Sequence, residues 1–127
     1  MIACHASCSC GQLRIETSGE PLRISVCHCL ACQRRTGSAF GVQARFARTN
    51  VAIQGRSSQY VRTADVTFHF CPDCGSTVHY QLAQSPNVIA IPVGAFADPA
   101  FPAPEFSVYE SRQHKWVELL GQIERAD

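Results

Sequence analysis

Val66-Thr67-Phe68-His69-Phe70-Cys71-Pro72-Asp73-Cys74-Gly75 is the segment on which the architecture turns. It reads as a short strand running straight into a C-x-x-C knuckle, so two sulfurs cap the end of a strand. Gly75 falls where the knuckle must bend its backbone sharply and aim amide N–H groups at sulfur, a position suited to positive φ. Far upstream, Cys8-Ser9-Cys10-Gly11 repeats the pattern in C-x-C form, with its own glycine. Two such pairs supply four thiolates, enough to close a tetrahedral metal site. A metal there would staple the first strand to the middle of the sheet. The remaining cluster is different. Cys27-His28-Cys29-Leu30-Ala31-Cys32 is a C-x-C-x-x-C that offers three sulfurs and leaves a fourth position open, the arrangement that separates catalytic from structural zinc.

Around these clusters the chain reads as mainly β. Leu13 and Ile15 alternate with Arg14 and Glu16, a half-buried strand, and Gly19-Glu20-Pro21 turns it. Leu22–Val26 runs into the triplet. Phe40–Phe46, Val51–Gln54, Gln59–Arg62, Val66–Phe70, Thr77–Gln81, Val88–Val93, Phe106–Tyr109 and Lys115–Leu119 follow as extended segments separated by Gly, Pro, Asn and Ser. Helix is confined to short pieces over Leu30–Thr36 and Ala47–Asn50. Pro99, Pro102 and Pro104 make an extended, weakly paired connection before the last two strands.

At 127 residues the chain is one domain, residues 1–127. A structural zinc contributes on the order of 10 kcal/mol of apparent binding energy, comparable with the whole net stability of a small domain. No apolar run is long enough to span a bilayer, and the N-terminus lacks the basic-then-apolar pattern of a signal peptide. A cytoplasmic address follows, where thiols stay reduced and clustered cysteines read as ligands before disulfides. In a secreted protein the eight cysteines would be free to bridge, although C-x-C neighbours bond each other poorly. Iron competes with zinc for the closed site. The formal net charge is +1. Seven thiolates and two divalent ions, seven negative charges against four positive, move it to −2. Neither value suits a nucleic-acid or membrane surface, and the arginines are spread out. Oligomeric state is not encoded in any readable feature.

Cys8-Ser9-Cys10-Gly11, the run from Cys27 to Phe40 with its Gln33-Arg34-Arg35-Thr36-Gly37, and Phe70-Cys71-Pro72-Asp73-Cys74-Gly75-Ser76 together resemble the glutathione-dependent formaldehyde-activating enzyme family (GFA, or CENP-V/GFA). The resemblance spans about Cys8 to Trp116. It implies an Mss4-like fold of antiparallel sheets with zinc-binding knuckles, and two zinc ions per chain. Carried over by position, Cys8, Cys10, Cys71 and Cys74 would hold the structural zinc, and Cys27, Cys29 and Cys32 the catalytic one. It further implies a carbon–sulfur lyase that joins a small thiol such as glutathione to an aldehyde such as formaldehyde, giving S-(hydroxymethyl)glutathione. Cys4 and His5 have no place in the pattern.

Zinc held by three thiolates carries a net charge near −1, which disfavours making hydroxide and favours a soft fourth ligand such as a thiolate. Arg34 and Arg35, directly after the triplet, are the candidate substrate-binding pair: they either grip a carboxylate of the incoming thiol or lie solvated on a short helix. Thr36-Gly37-Ser38 reads first as a helix stop and second as an oxyanion cradle. Phe40 reads as core. His28, between two ligands, points away from the metal by rule, with ligation and proton handling as the competing roles. His69 and His79 read as structural, Asp73 as a turn residue and Cys4 as a spare thiol. His114, ahead of Lys115-Trp116, is a candidate pocket wall. No His-Glu-x-x-His helix, Gly-x-Ser-x-Gly elbow or glycine-rich phosphate cradle is present. The alternative function is a non-catalytic zinc-binding module of Mss4-like fold that engages or chaperones a protein. Closure of the triplet's fourth position by His28, Cys4 or His5 would favour that alternative.

Overall fold

A computed structural model describes residues 3–127. Among the described residues, eleven strands build two sheets. Strands β1 (Ala3–Ser7), β2 (Arg14–Ser18) and β5 (Val51–Gln54) form the smaller one, in the order β1-β2-β5. The larger sheet takes β3 (Arg23–Cys27), β4 (Gly41–Ala47), β6 (Ser58–Thr63), β7 (Val66–Phe70), β8 (Thr77–Leu82), β9 (Val88–Pro92), β10 (Phe106–Val108) and β11 (Glu124–Arg125). Its order is β11-β10-β3-β4-β9-β8-β7-β6. The one α-helix among the described residues, α1 (Leu30–Thr36), joins β3 to β4, and single 3-10 turns follow at Arg48–Asn50, Val93–Phe96 and Glu110–Arg112.

Strand alternation decides what each face of the large sheet carries. On β3, Ile24 and Val26 face the core while Arg23, Ser25 and Cys27 face the other way; on β4, Ala44 and Phe46 face in while Gln43 and Arg45 face out. The inner face meets Ala6 and Ile15 of the small sheet and Leu13 just before β2, and Ile89, Ile91 and Val78 join them in this main core. Phe96 closes one end, stacked on Phe101 at 4.5 Å. The outer face holds a second, smaller cluster of Val66, Phe68, Tyr80 and Ala90. Beside that cluster the sheet is polar, which is where the triplet sits.

Most strands fall where the sequence places them, and three features differ. Ala3–Ser7 is a strand, paired along its length with Arg14–Ser18, because Ala6 fills a core position opposite Ile15. Lys115–Leu119 is not a strand. Val117 N–H donates to the His114 carbonyl (3.0 Å) and the Gln113 amide takes the Val117 carbonyl (2.9 Å), so the groups a ladder needs are used in a local turn. The final strand is instead Glu124–Arg125, and β10 pairs parallel with both β3 and β11 in an otherwise antiparallel arrangement. No helix among the described residues is long and apolar enough to cross a membrane.

Two candidate metal centres

The β1–β2 connection brings Cys8 and Cys10 to one end of the small sheet, and the β7–β8 hairpin brings Cys71 and Cys74 to meet them. The contact therefore joins two sheets, a correction to the expected staple within one. Gly11 and Gly75 both take φ +82°, as each knuckle turn requires. The four sulfurs lie within 4.8 Å of one another. Cys8 Sγ and Cys10 Sγ are 3.6 Å apart, and Cys10 Sγ and Cys71 Sγ 3.7 Å. Tetrahedral zinc with sulfur at about 2.3 Å places ligand sulfurs about 3.8 Å apart, so the donor set fits that ion. None of the eight cysteines is bridged.

Amide groups already face the sulfurs. Leu13 N–H donates to Cys8 Sγ (3.3 Å) and Asp73 N–H to Cys71 Sγ (3.4 Å). Gln12 is the clasp: its Nε2 donates to Cys71 Sγ (3.0 Å) and to the Arg56 carbonyl (2.8 Å), while its Oε1 accepts from Arg56 N–H (3.0 Å). Burial alone would raise the Cys71 thiol, and these donors reverse the sign and hold it down. The Ser76 hydroxyl and amide bring Cys74 to about 5. Asp73 is a turn residue whose carboxylate pairs with Arg56 at the surface.

At the second centre, Cys27 ends β3, Cys29 caps α1, and Cys32 lies in the first turn of the helix. Cys32 N–H donates to Cys29 Sγ (3.3 Å), which fixes the cap. The three sulfurs again fall within 4.8 Å of one another, and no fourth His, Cys, Asp or Glu joins them among the described residues. Cys32 is the most readily ionised thiol of the set. A proton donated from Cys27 and the Arg35 guanidinium bring it to about 5, against its burial, and Cys27 as donor is pushed up.

His28 turns away from the sulfurs. Its Nε2 meets Ser107 Oγ at 3.0 Å, Ser107 donates onward to Glu110, and Arg125 holds Glu110 at 2.9 Å. This chain ties the triplet loop to β10 and β11. Because Ser107 gives its proton to Glu110, Nε2 of His28 carries the ring proton. Burial holds the His28 pKa below the usual histidine range. Cys4 packs against the main core and His5 pairs with Glu16 at 3.7 Å, so neither belongs to a sulfur group. His114 Nε2 meets Gln33 Oε1 at 2.9 Å beside the Trp116 ring. Phe40 sits edge-on to His28 rather than in the main core. Gly37, at φ +69°, ends α1 with its N–H on the Gln33 carbonyl, the helix stop expected there.

The triplet opens onto a cavity of about 190 Å³ on the outer face of the large sheet. Arg35 lines it, stacked over Phe68 (5.0 Å) and Tyr80 (5.7 Å). Arg34 does not; it lines an outer cleft of about 520 Å³ that shares Arg35, Arg62 and Phe68 with the inner cavity. Arg23, Arg45, Arg62 and Gln43 also line the inner cavity, and reading the sequence missed them. The signal was present: Arg23 and Ser25 are in phase with Cys27 along β3, and Gln43 and Arg45 alternate with Val42, Ala44 and Phe46 along β4.

A mainly β chain with one four-sulfur and one three-sulfur group belongs to the class of small β folds whose cysteine knuckles could hold metal ions. More narrowly, residues 3–112 match the family described as glutathione-dependent formaldehyde-activating enzyme, and the chain belongs to that GFA family. A crystal structure of a Rhodobacter sphaeroides protein superposes with a TM-score of 0.61 at 22% identity, covering 77% of this chain and 90% of that one. That likeness concerns the fold alone. Curated proteins gave no match.

Proposed function

We propose that the protein is a zinc-dependent carbon–sulfur lyase or synthase that joins a small thiol to an aldehyde at the Cys27, Cys29 and Cys32 site, with Cys8, Cys10, Cys71 and Cys74 holding a second, structural zinc. One observation carries this reading: three convergent sulfurs, with no fourth protein ligand among the described residues, face a partly open cavity. A zinc held there supplies a soft Lewis acid that favours the thiolate form of an incoming thiol.

The chain's own groups do the rest. The cavity walls hold thiol and aldehyde together, and Arg35 offsets the negative charge of the sulfur cluster. The substrate thiolate adds to the carbonyl carbon; a C–S bond forms, the π pair moves to oxygen, and oxygen takes the proton the thiol lost. The product is a hemithioacetal, and no oxidant or reductant is consumed. The family's description suggests glutathione and formaldehyde as the pair; a cytoplasmic address, where thiols stay reduced, belongs to the same reading. His28 acts through position: the hydrogen-bond chain to Ser107 fixes the backbone on which two of the ligands ride. The rate of hemithioacetal formation, followed with zinc-loaded wild type and with Cys32→Ser, tests the proposal. Acceleration over the buffer rate that is lost in the variant is the expected result. Equal rates with wild type, variant and buffer, for every thiol tried, overturn it.

A further inference from the structure

The inner cavity is far more cationic than the sulfur site requires. Arg23, Arg35, Arg45 and Arg62 all line it, and no Asp or Glu does. Three thiolates and a divalent ion leave one net negative charge, which Arg35 alone offsets. Three guanidinium charges remain without a counter-charge. The ion pairs among the described residues engage none of these arginines. Instead aromatic faces hold three of the four: Arg23 lies over Phe106 at 4.1 Å, Arg35 over Phe68, and Arg62 over Phe68 at 5.6 Å. Stacking fixes a guanidinium plane while leaving its N–H edge free for an acceptor.

Arg23 and Arg45 are direct cross-strand partners on β3 and β4, on the same face. Like charges opposite one another destabilise a sheet, and here no carboxylate intervenes. The Nε atoms of Arg23, Arg35 and Arg45 are buried without a hydrogen-bond partner. Gln43, only 5% exposed, lines the same cavity, and its unpartnered Oε1 is an acceptor and no part of this donor set. Three unmet guanidinium donors lining one cavity are a site waiting for acceptors.

We infer that this cavity is a dianion subsite: it takes a small ligand with two adjacent negative charges, a compact dicarboxylate or a phosphate monoester, whose forks are Arg23 and Arg45. A volume of about 190 Å³ is below the ~300 Å³ at which pockets for drug-sized ligands begin. The paired arginines are about 5 Å apart at the backbone, so they address charges on one end of a ligand. Glutathione matches this poorly. Its carboxylates lie at opposite ends of a tripeptide, and its ammonium group would meet arginine and no acid. The preferred thiol of this chain is therefore a small dianionic one without an amine. That last step rests on the thiol-addition reading above; the anion subsite does not.

Calorimetric titration of zinc-loaded protein with mercaptosuccinate, 2-mercaptoethanol, succinate, inorganic phosphate and glutathione tests the inference. Mercaptosuccinate is expected to bind about tenfold or more tighter than 2-mercaptoethanol, and succinate or phosphate to compete with it. Arg45→Gln lowers the mercaptosuccinate to 2-mercaptoethanol affinity ratio by about tenfold or more, yet leaves the ligand-free melting temperature unchanged or higher, because a like-charge contact is removed. A merely structural arginine would lower that temperature. Arg23→Gln provides the same comparison if Arg45→Gln does not fold. Affinities of the charged and neutral thiols within twofold of each other, or a ratio untouched by the variant, overturn the subsite. If glutathione addition is accelerated while dianions do not bind, the subsite falls and the enzyme reading stands. If dianions bind through the arginines and no thiol–aldehyde addition is accelerated, the reverse holds.

Discussion

Gln12 and Gly55 together shape the four-sulfur centre from outside the sulfur group itself. Gln12 bonds both to Cys71 and to the segment after β5, and Gly55 allows that segment to approach. Gly55 has φ +105°, and a Cβ there would stand 2.1 Å from the Gln12 carbonyl oxygen. Backbone must move, since the obstacle is backbone itself. Gly55→Ala is expected to lower stability by about 2–4 kcal/mol in a denaturant titration. Gly11→Ala, with φ +82° but nothing within 4 Å, is expected to lose only about 1 kcal/mol. Similar losses at both positions would show that φ strain alone is at work. Gly11's turn was legible from its place after Cys10, but the role of Gly55 was not, because the sequence shows a glycine and not the carbonyl facing it. The grouping of the cysteines was legible, since their spacing is itself the geometry.

At the scale of elements, the cross-strand pair His69 and His79 on β7 and β8 makes the clearest demand on pH. The rings stack at 4.3 Å with an interplanar angle of 9°, and neither nitrogen of His79 has a partner. Burial, and then the charge of His69, lower the His79 pKa from 6.5 to about 4. The unfolded chain therefore binds a proton below pH 6.5 that the folded one refuses until about pH 4. Stability is complete above that range and falls as pH drops through it, by on the order of 2–3 kcal/mol for this residue. Denaturant titrations from pH 7.5 to 4.5 are expected to show a shallower decline for His79→Phe than for wild type. Equal slopes would remove His79 from the account. Alternation placed both histidines on strands, yet the sequence could not reveal that they oppose each other, because register depends on the bulge between His69 and Phe70. The same limit hid the pairing of Arg23 with Arg45. It also explains Lys115–Leu119, whose alternation mimics a strand while local hydrogen bonds claim its backbone.

For the molecule as a whole, two sheets share one main core and are pinned at one end by four sulfurs, while three more sulfurs open onto the outer face. The two centres differ in what surrounds them. The four-sulfur group joins separate sheets, so losing a metal held there would loosen the tertiary structure. The triplet lies within one strand–helix corner, so losing a metal held there would leave the fold in place. The most direct measurement is zinc content per chain during a graded chelator titration, with circular dichroism recorded alongside. Two zinc ions per wild-type chain are expected, the first released while the β signal is intact and the second released with unfolding. Cys32→Ser should begin with one. A single zinc in the wild type, or two that leave together with the fold, would contradict the account.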